Sequence, residues 1–332
     1  MMPAGRLLSW LAGLSTLVLL AALVGPVLGP VETVRELLMG SPNSLVRSIV
    51  VDMRLPRALV AALIGGALGA SGAALQGLFR NPLADPAILG VSPTAAFFCQ
   101  LVLFLFGAAS ALFTLPLAAC FGALLSTALL TFLLRPRSFS NRDLLLLAGI
   151  ALGQVMGAAS ALLLSLSVSD HSRAQRLLLW ILGNLDGKTW AQVALGLLPV
   201  TVGVVSLLRT GPALDALTFG SATATSLGVD IRRTERAVAL WASVLSGLTV
   251  ALGGIIGFVG LLAPHFVRSF GSSRHQRVIA ESALCGACLL VAADALARCV
   301  LAPVELPVGV ITGTLGAPVF AFLLWRRFRG TS

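Results

Sequence analysis

Charge is scarce in this chain. Only 11% of its 332 residues are Asp, Glu, Lys or Arg, where a soluble domain carries roughly 25%. Lys188 is the one lysine among 23 basic residues, and with 13 acidic residues the formal net charge is +10. A basic balance invites a nucleic-acid partner. Long apolar segments leave little soluble surface for one, so no nucleic acid is expected. Histidine is limited to His171, His265 and His275, which lie far apart without metal-ligand spacing. Five cysteines sit in or near apolar runs. Cys285 and Cys288 form a lone C-x-x-C with no second pair and no histidine beside it, which reads as packing, and nothing implies a disulfide framework. Gly187-Lys188-Thr189 imitates the end of a phosphate-binding loop, but the first glycine of that motif would fall on Leu182. Asp294 and Glu305 make no obvious catalytic pair. With no metal site, cofactor site or catalytic constellation, the chain reads as one that moves something rather than converts it.

What the chain has instead is apolar surface. Hydrophobic residues make up 57% of it and the mean hydropathy is +0.97. A span needs about 20 apolar residues to cross a hydrocarbon core of roughly 30 Å. Ten spans would use about 200 of the residues present. The runs are continuous rather than alternating, which excludes a β-barrel. Runs and breakers predict ten helices near 8–28, 57–78, 92–108, 112–134, 143–166, 191–208, 236–252, 256–270, 278–300 and 308–326. The eighth is short and Gly-rich and is expected to cross only partly. The first is too long for a signal peptide and reads as a retained span. Between the fifth and sixth, Arg176–Trp180 reads as part of a short interfacial helix. No repeat is visible, so residues 1–332 read as one all-α polytopic membrane domain. With the N-terminus in the cytoplasm, fifteen of the 23 basic residues fall on the inner side, which supports both termini inside.

Four features carry a functional reading. Gly65, Gly69, Ala73 and Gly77 recur every four residues on one face of the second helix, where a neighbouring backbone can approach closely. That helix stops at Phe79-Arg80-Asn81-Pro82, a polar turn rich in breakers. Gly211–Arg236 is the longest amphipathic segment outside the spans. In it Leu214 and Leu217 recur at helical spacing, Gly220 breaks the run, and Ala224 to Leu227 form a second turn closed by Gly228. It is either a knob for a partner's groove or an ordinary cytoplasmic loop. Arg54, Arg57 and Arg298 lie at the outer ends of spans. Arg298 is four residues from Asp294 and can pair with it along a helix. Alternatively the three arginines form a positive rim for an external protein's carboxylates.

Across nearly its whole length the chain resembles the FecCD family of iron-chelate and vitamin B12 permeases of ABC importers. The resemblance rests on Arg54-Leu-Pro-Arg57, Ser71-Gly-Ala-Ala-Leu-Gln76, Asn81-Pro-Leu-Ala-Asp-Pro86, Leu89-Gly-Val-Ser92 and Leu147-Ala-Gly-Ile-Ala-Leu152. It continues through Trp180-Ile-Leu-Gly183, Leu214–Val229, the stretch from Gly257 to His265, Glu305-Leu-Pro-Val-Gly309 and Gly313–Phe320. It implies a type II ABC importer permease fold in a bacterial inner membrane, with two permease copies around a central path. Two cytoplasmic ATPase subunits would dock on Leu214–Val229, within the 211–236 coupling loop, and bind ATP-Mg, leaving this chain without a cofactor. A periplasmic or lipid-anchored solute-binding protein would dock at Arg54, Arg57 and Arg298. Asn81, Leu83 and the loop at Ser140–Asn141 match regions that close the inner mouth, although Arg142 and Asp143 depart from the family pattern. Alternating access follows, with cargo that is bulky and partly apolar. The Phe79–Pro86 stretch looks more like the haem and ferric-siderophore branch than the cobalamin branch. An ion-gradient carrier would be expected to place charges mid-span, and a scaffold would transport nothing.

Overall fold

The computed structural model describes residues 4–24, 45–107, 111–133 and 142–329, and every regular element among them is helical. Helix α1 covers Ala4–Leu23. Leu45–Ser48 and a π-helical stretch, Ile49–Arg54, lead into α2, Leu55–Phe79. Then come α3 (Val91–Phe106), α4 (Ala111–Leu133), α5 (Arg142–Leu166) and α6 (His171–Leu182). The second half holds α7 (Trp190–Thr218), α8 (Ser221–Ser226), α9 (Ile231–Gly253), α10 (Val259–Ser269), α11 (His275–Cys299) and α12 (Val308–Arg329).

Each of the ten expected helices has a counterpart, but not all are spans by length. Among the described residues six helices are long and apolar enough to cross a membrane, and three shorter apolar ones are Leu7–Leu23, Val91–Phe106 and Val308–Phe322. The expected short eighth helix is α10, whose 11 residues reach about 16 Å at 1.5 Å per residue. That is roughly half of a hydrocarbon core.

Small residues place α2 at the centre. It packs against α1, α7, α9, α10 and α11. In the apolar stretch leading through α2, 78% is buried, against 17% in that of α5. A Cβ added to Gly65 would lie 2.2 Å from the Gly286 carbonyl oxygen, and one on Gly69 would lie 2.0 Å from that of Ser282. Gly72, outside the predicted stripe, meets Gly260 of α10 in the same way, at 2.0 Å. Ala73 is fully buried, and Gly77 makes room for the His275 ring. Backbones this close gain dispersion contacts that larger side chains would forbid. Arg80 then adopts a left-handed conformation (φ 47°) that closes α2, and Pro82 follows where the helix cannot continue.

One boundary differs clearly from expectation. The helix expected near 191–208 runs on instead, and α7 continues through Pro212 to Thr218. An interior proline removes a hydrogen bond, but packing outweighs it here. Leu207 and Leu214 are fully buried, Leu217 nearly so, and Gly211 sits against the backbone of Gln276. The short helix expected around Arg176–Trp180 is longer than that core: α6 starts where Asp170 accepts a hydrogen bond from the Arg173 N–H at 3.1 Å.

Candidate functional site

Two clusters occupy opposite ends of α2, whose 25 residues separate them by about 37 Å. At the Arg54 end the three arginines predicted to form a rim are buried, with 7%, 6% and 1% exposure for Arg54, Arg57 and Arg298. Arg298 donates to the carbonyls of Val24 and Ala21, both at 2.9 Å, and Arg54 donates to that of Leu23 at 3.1 Å. They therefore satisfy carbonyls at the C-terminus of α1 that have no helical partner among the described residues. Asp294, fully buried, lies between Arg298 Nε at 3.2 Å and Arg57 Nε at 2.9 Å. Arg57 also reaches Glu305 at 2.5 Å and Asp186 at 3.9 Å. The pairing of Arg298 with Asp294 along one helix is thus present, and it belongs to a larger network.

Nearby, the false phosphate-loop motif has a structural use. Thr189 caps α7, with its N–H bonded to Gln192 Oε1 at 2.8 Å. Lys188 lies 5.9 Å from the centre of the Trp180 ring, and burial lowers its pKa to about 8.

At the other end of α2 the loop 80–90 is a chain of local turns. Asn81 Oδ1 accepts from the Leu83 N–H and Asp85 Oδ1 from the Ala87 N–H, both at 2.9 Å. Asn81 and Leu83 are half-buried. Asp85, missed by the sequence reading, is 5% exposed, and burial raises its pKa to about 6. A side chain on Gly260 would come 2.4 Å from Asp85 Oδ2, so that glycine leaves room for the carboxylate. The second predicted gate position, Ser140–Asn141, lies outside the described residues.

The 211–236 segment divides into the end of α7, a break at Gly220 and α8. Gly220 (φ 109°) and Gly228 (φ 80°) occupy backbone conformations that L side chains rarely adopt. Leu214, Leu217 and Ala224 point into the chain's own core, whereas Leu227 is 66% exposed. Phe219, which the sequence reading did not single out, is 75% exposed. The signal for it lay in its place beside the Gly220 break, just beyond the last buried leucine. Asp215 ties this region to the start of α11 by accepting from the His275 N–H at 2.8 Å and meeting its Nδ1 at 2.7 Å. Among the described residues no three His, Cys, Asp or Glu side chains gather to hold a metal ion.

Known proteins resemble this arrangement over nearly the whole chain. The vitamin B12 import system permease protein BtuC of Vibrio cholerae is 42% identical over 86% of this chain and 85% of that protein. The hemin transport system permease protein HmuU of Yersinia pestis is 37% identical over 88% of each chain, as is the uncharacterized Bacillus subtilis ABC transporter permease YvrB over 88% of this chain and 83% of its own. A solved inward-facing transporter assigned to the metal-chelate ABC type superposes with a TM-score of 0.81 at 29% identity, covering 95% of this chain and 98% of that one. The sequence pattern of the FecCD transport family matches residues 13–326, and the chain belongs to that family.

Proposed function

We propose that this chain is the membrane permease subunit of an ABC importer that carries a bulky iron chelate, haem or a ferric siderophore, into the cytoplasm. Two copies line the path in the bacterial inner membrane, each with both termini inside. ATP is bound and hydrolysed by separate cytoplasmic subunits that grip the Gly220 elbow. A solute-binding protein delivers cargo at the end marked by Arg54, Arg57 and Arg298. Asn81 and Leu83, with the Ser140–Asn141 loop, form the gate at the cytoplasmic mouth. The observation that carries this reading is a knob broken at Gly220, with exposed Phe219 and Leu227, joined to the core through buried Leu214, Leu217 and Ala224. Such a part transmits movement from a docked subunit into the bundle.

Cobalamin is the second reading of the cargo, favoured by the 42% identity to a vitamin B12 permease. The test is reconstitution in liposomes with its ATPase and binding-protein partners, offering haem, a ferric siderophore and cobalamin in turn. ATP-dependent uptake of an iron chelate is expected. Preference for cobalamin selects the second reading, and uptake that survives ATP removal but collapses with the proton gradient overturns both.

A further inference from the structure

Arg57 differs from the other two arginines in what covers it. The guanidinium groups of Arg54 and Arg298 are engaged by α1 carbonyls, and Arg298 also by Asp294. On Arg57 one carboxylate is buried: Asp294, with a side chain 1% exposed, holds Nε at 2.9 Å. The other is at the surface. Glu305 holds Nη1 from the segment between α11 and α12 with a side chain 32% exposed, and Asp186 stands farther off at 3.9 Å, 70% exposed. The Arg57 side chain itself is 8% exposed. An approaching acidic protein therefore meets two carboxylates before it meets the arginine. The Glu305 segment is anchored beside α11, where the Leu306 N–H donates to the Ala297 carbonyl at 3.0 Å, so the carboxylate can swing away without the backbone leaving.

We infer that Glu305 is an internal stand-in for a docking carboxylate: an acidic group of the solute-binding protein takes its place on Arg57, while Arg54 and Arg298 hold α1 in position. This rests on the docking reading above. Exchanging one carboxylate for another keeps the buried guanidinium paired at every stage, which avoids the penalty of an unpaired buried charge. It also makes Glu305 a competitor that sets how tightly an acidic partner is held and how strongly salt weakens it.

The experiment measures binding of a hexaglutamate peptide to the full chain in nanodiscs of zwitterionic lipid at low and moderate salt. Glu305→Gln removes the competing charge and keeps the side-chain size. It is expected to bind about tenfold more tightly than wild type, with a steeper salt dependence. Asp186→Asn, more distant, is expected to gain less. Because Arg57→Gln leaves Asp294 short of a partner, its folding is checked by thermal unfolding, and Glu305→Ala serves as a second variant that does not touch Arg57. In the double variant Arg57→Gln, Glu305→Gln the gain is expected to vanish. Binding that depends on Arg57 but is unchanged or weakened by Glu305→Gln and Glu305→Ala overturns the exchange alone. A gain that persists without Arg57 also overturns it, as a general charge effect. No binding to any variant overturns the exchange together with the docking reading.

Discussion

Asp85 places a carboxylate inside a turn between α2 and α3, with one oxygen bonded to the Ala87 N–H and the other beside Gly260. Burial raises its pKa from 3.8 to about 6, so the folded chain binds this proton more tightly than the unfolded one. The contribution of Asp85 to folded stability is then greatest below about pH 4 and falls as pH rises from about 4 to about 6. Asp85→Asn keeps the oxygen that caps Ala87 and removes the charge. It is expected to be more stable than wild type at pH 7 by up to about 3 kcal/mol, with the difference closing below about pH 4. Thermal unfolding across pH checks this, and a pH-independent difference would show that charge burial is not the cause. Arg298 behaves oppositely. Arg298→Ala strips a partner from buried Asp294 and frees two α1 carbonyls, an expected loss of about 3–5 kcal/mol, read as a lower melting temperature.

At the scale of elements, α2 and α11 approach backbone to backbone at Gly65–Gly286 and Gly69–Ser282. Gly69→Leu forces a large side chain where even a Cβ would lie 2.0 Å from the Ser282 carbonyl, and the helices must separate. A loss of at least about 1–3 kcal/mol is expected, measured by thermal unfolding in detergent. The knob is predicted to separate stability from coupling. Phe219→Glu with Leu227→Glu changes exposed positions, leaving the melting temperature within a few degrees while reducing capture of ATPase subunits at least tenfold. Leu217→Asp buries a charge in the chain's own core and is expected to unfold the region instead. Unchanged capture by the double variant would remove the knob from the docking surface. These elements also mark what was legible beforehand. Helical runs, the breaker at Asn81-Pro82 and the Gly220 hinge announce themselves through local spacing. The overrun of α7 past Pro212 does not, because it is settled by Leu214, Leu217 and a seat on Gln276. The Asp294–Arg298 pair is visible at four-residue spacing. The bond from Arg57 to Glu305 crosses 248 positions and that from Asp215 to His275 crosses 60, distances that no local pattern reports.

For the molecule as a whole, the proposed division of labour predicts that the purified chain turns over no ATP, and measurable intrinsic hydrolysis would overturn it. The interior explains why cargo identity stays illegible while the family does not. Motif residues such as Gly72 and Gly260 serve helix contact, and that demand is common to any cargo. Glycine contacts of this kind bear on how such a bundle can change shape. Helices α2 and α11 touch backbone to backbone at Gly65–Gly286 and Gly69–Ser282, one turn apart. They behave as a single double-barrelled strut some 37 Å long, unable to shear without breaking both contacts. A push delivered near Gly77 and His275 would therefore be carried by both helices together toward Arg57 and Asp294. In the proposed cycle, the compliance is expected in staves that bury little surface in this chain, such as α5.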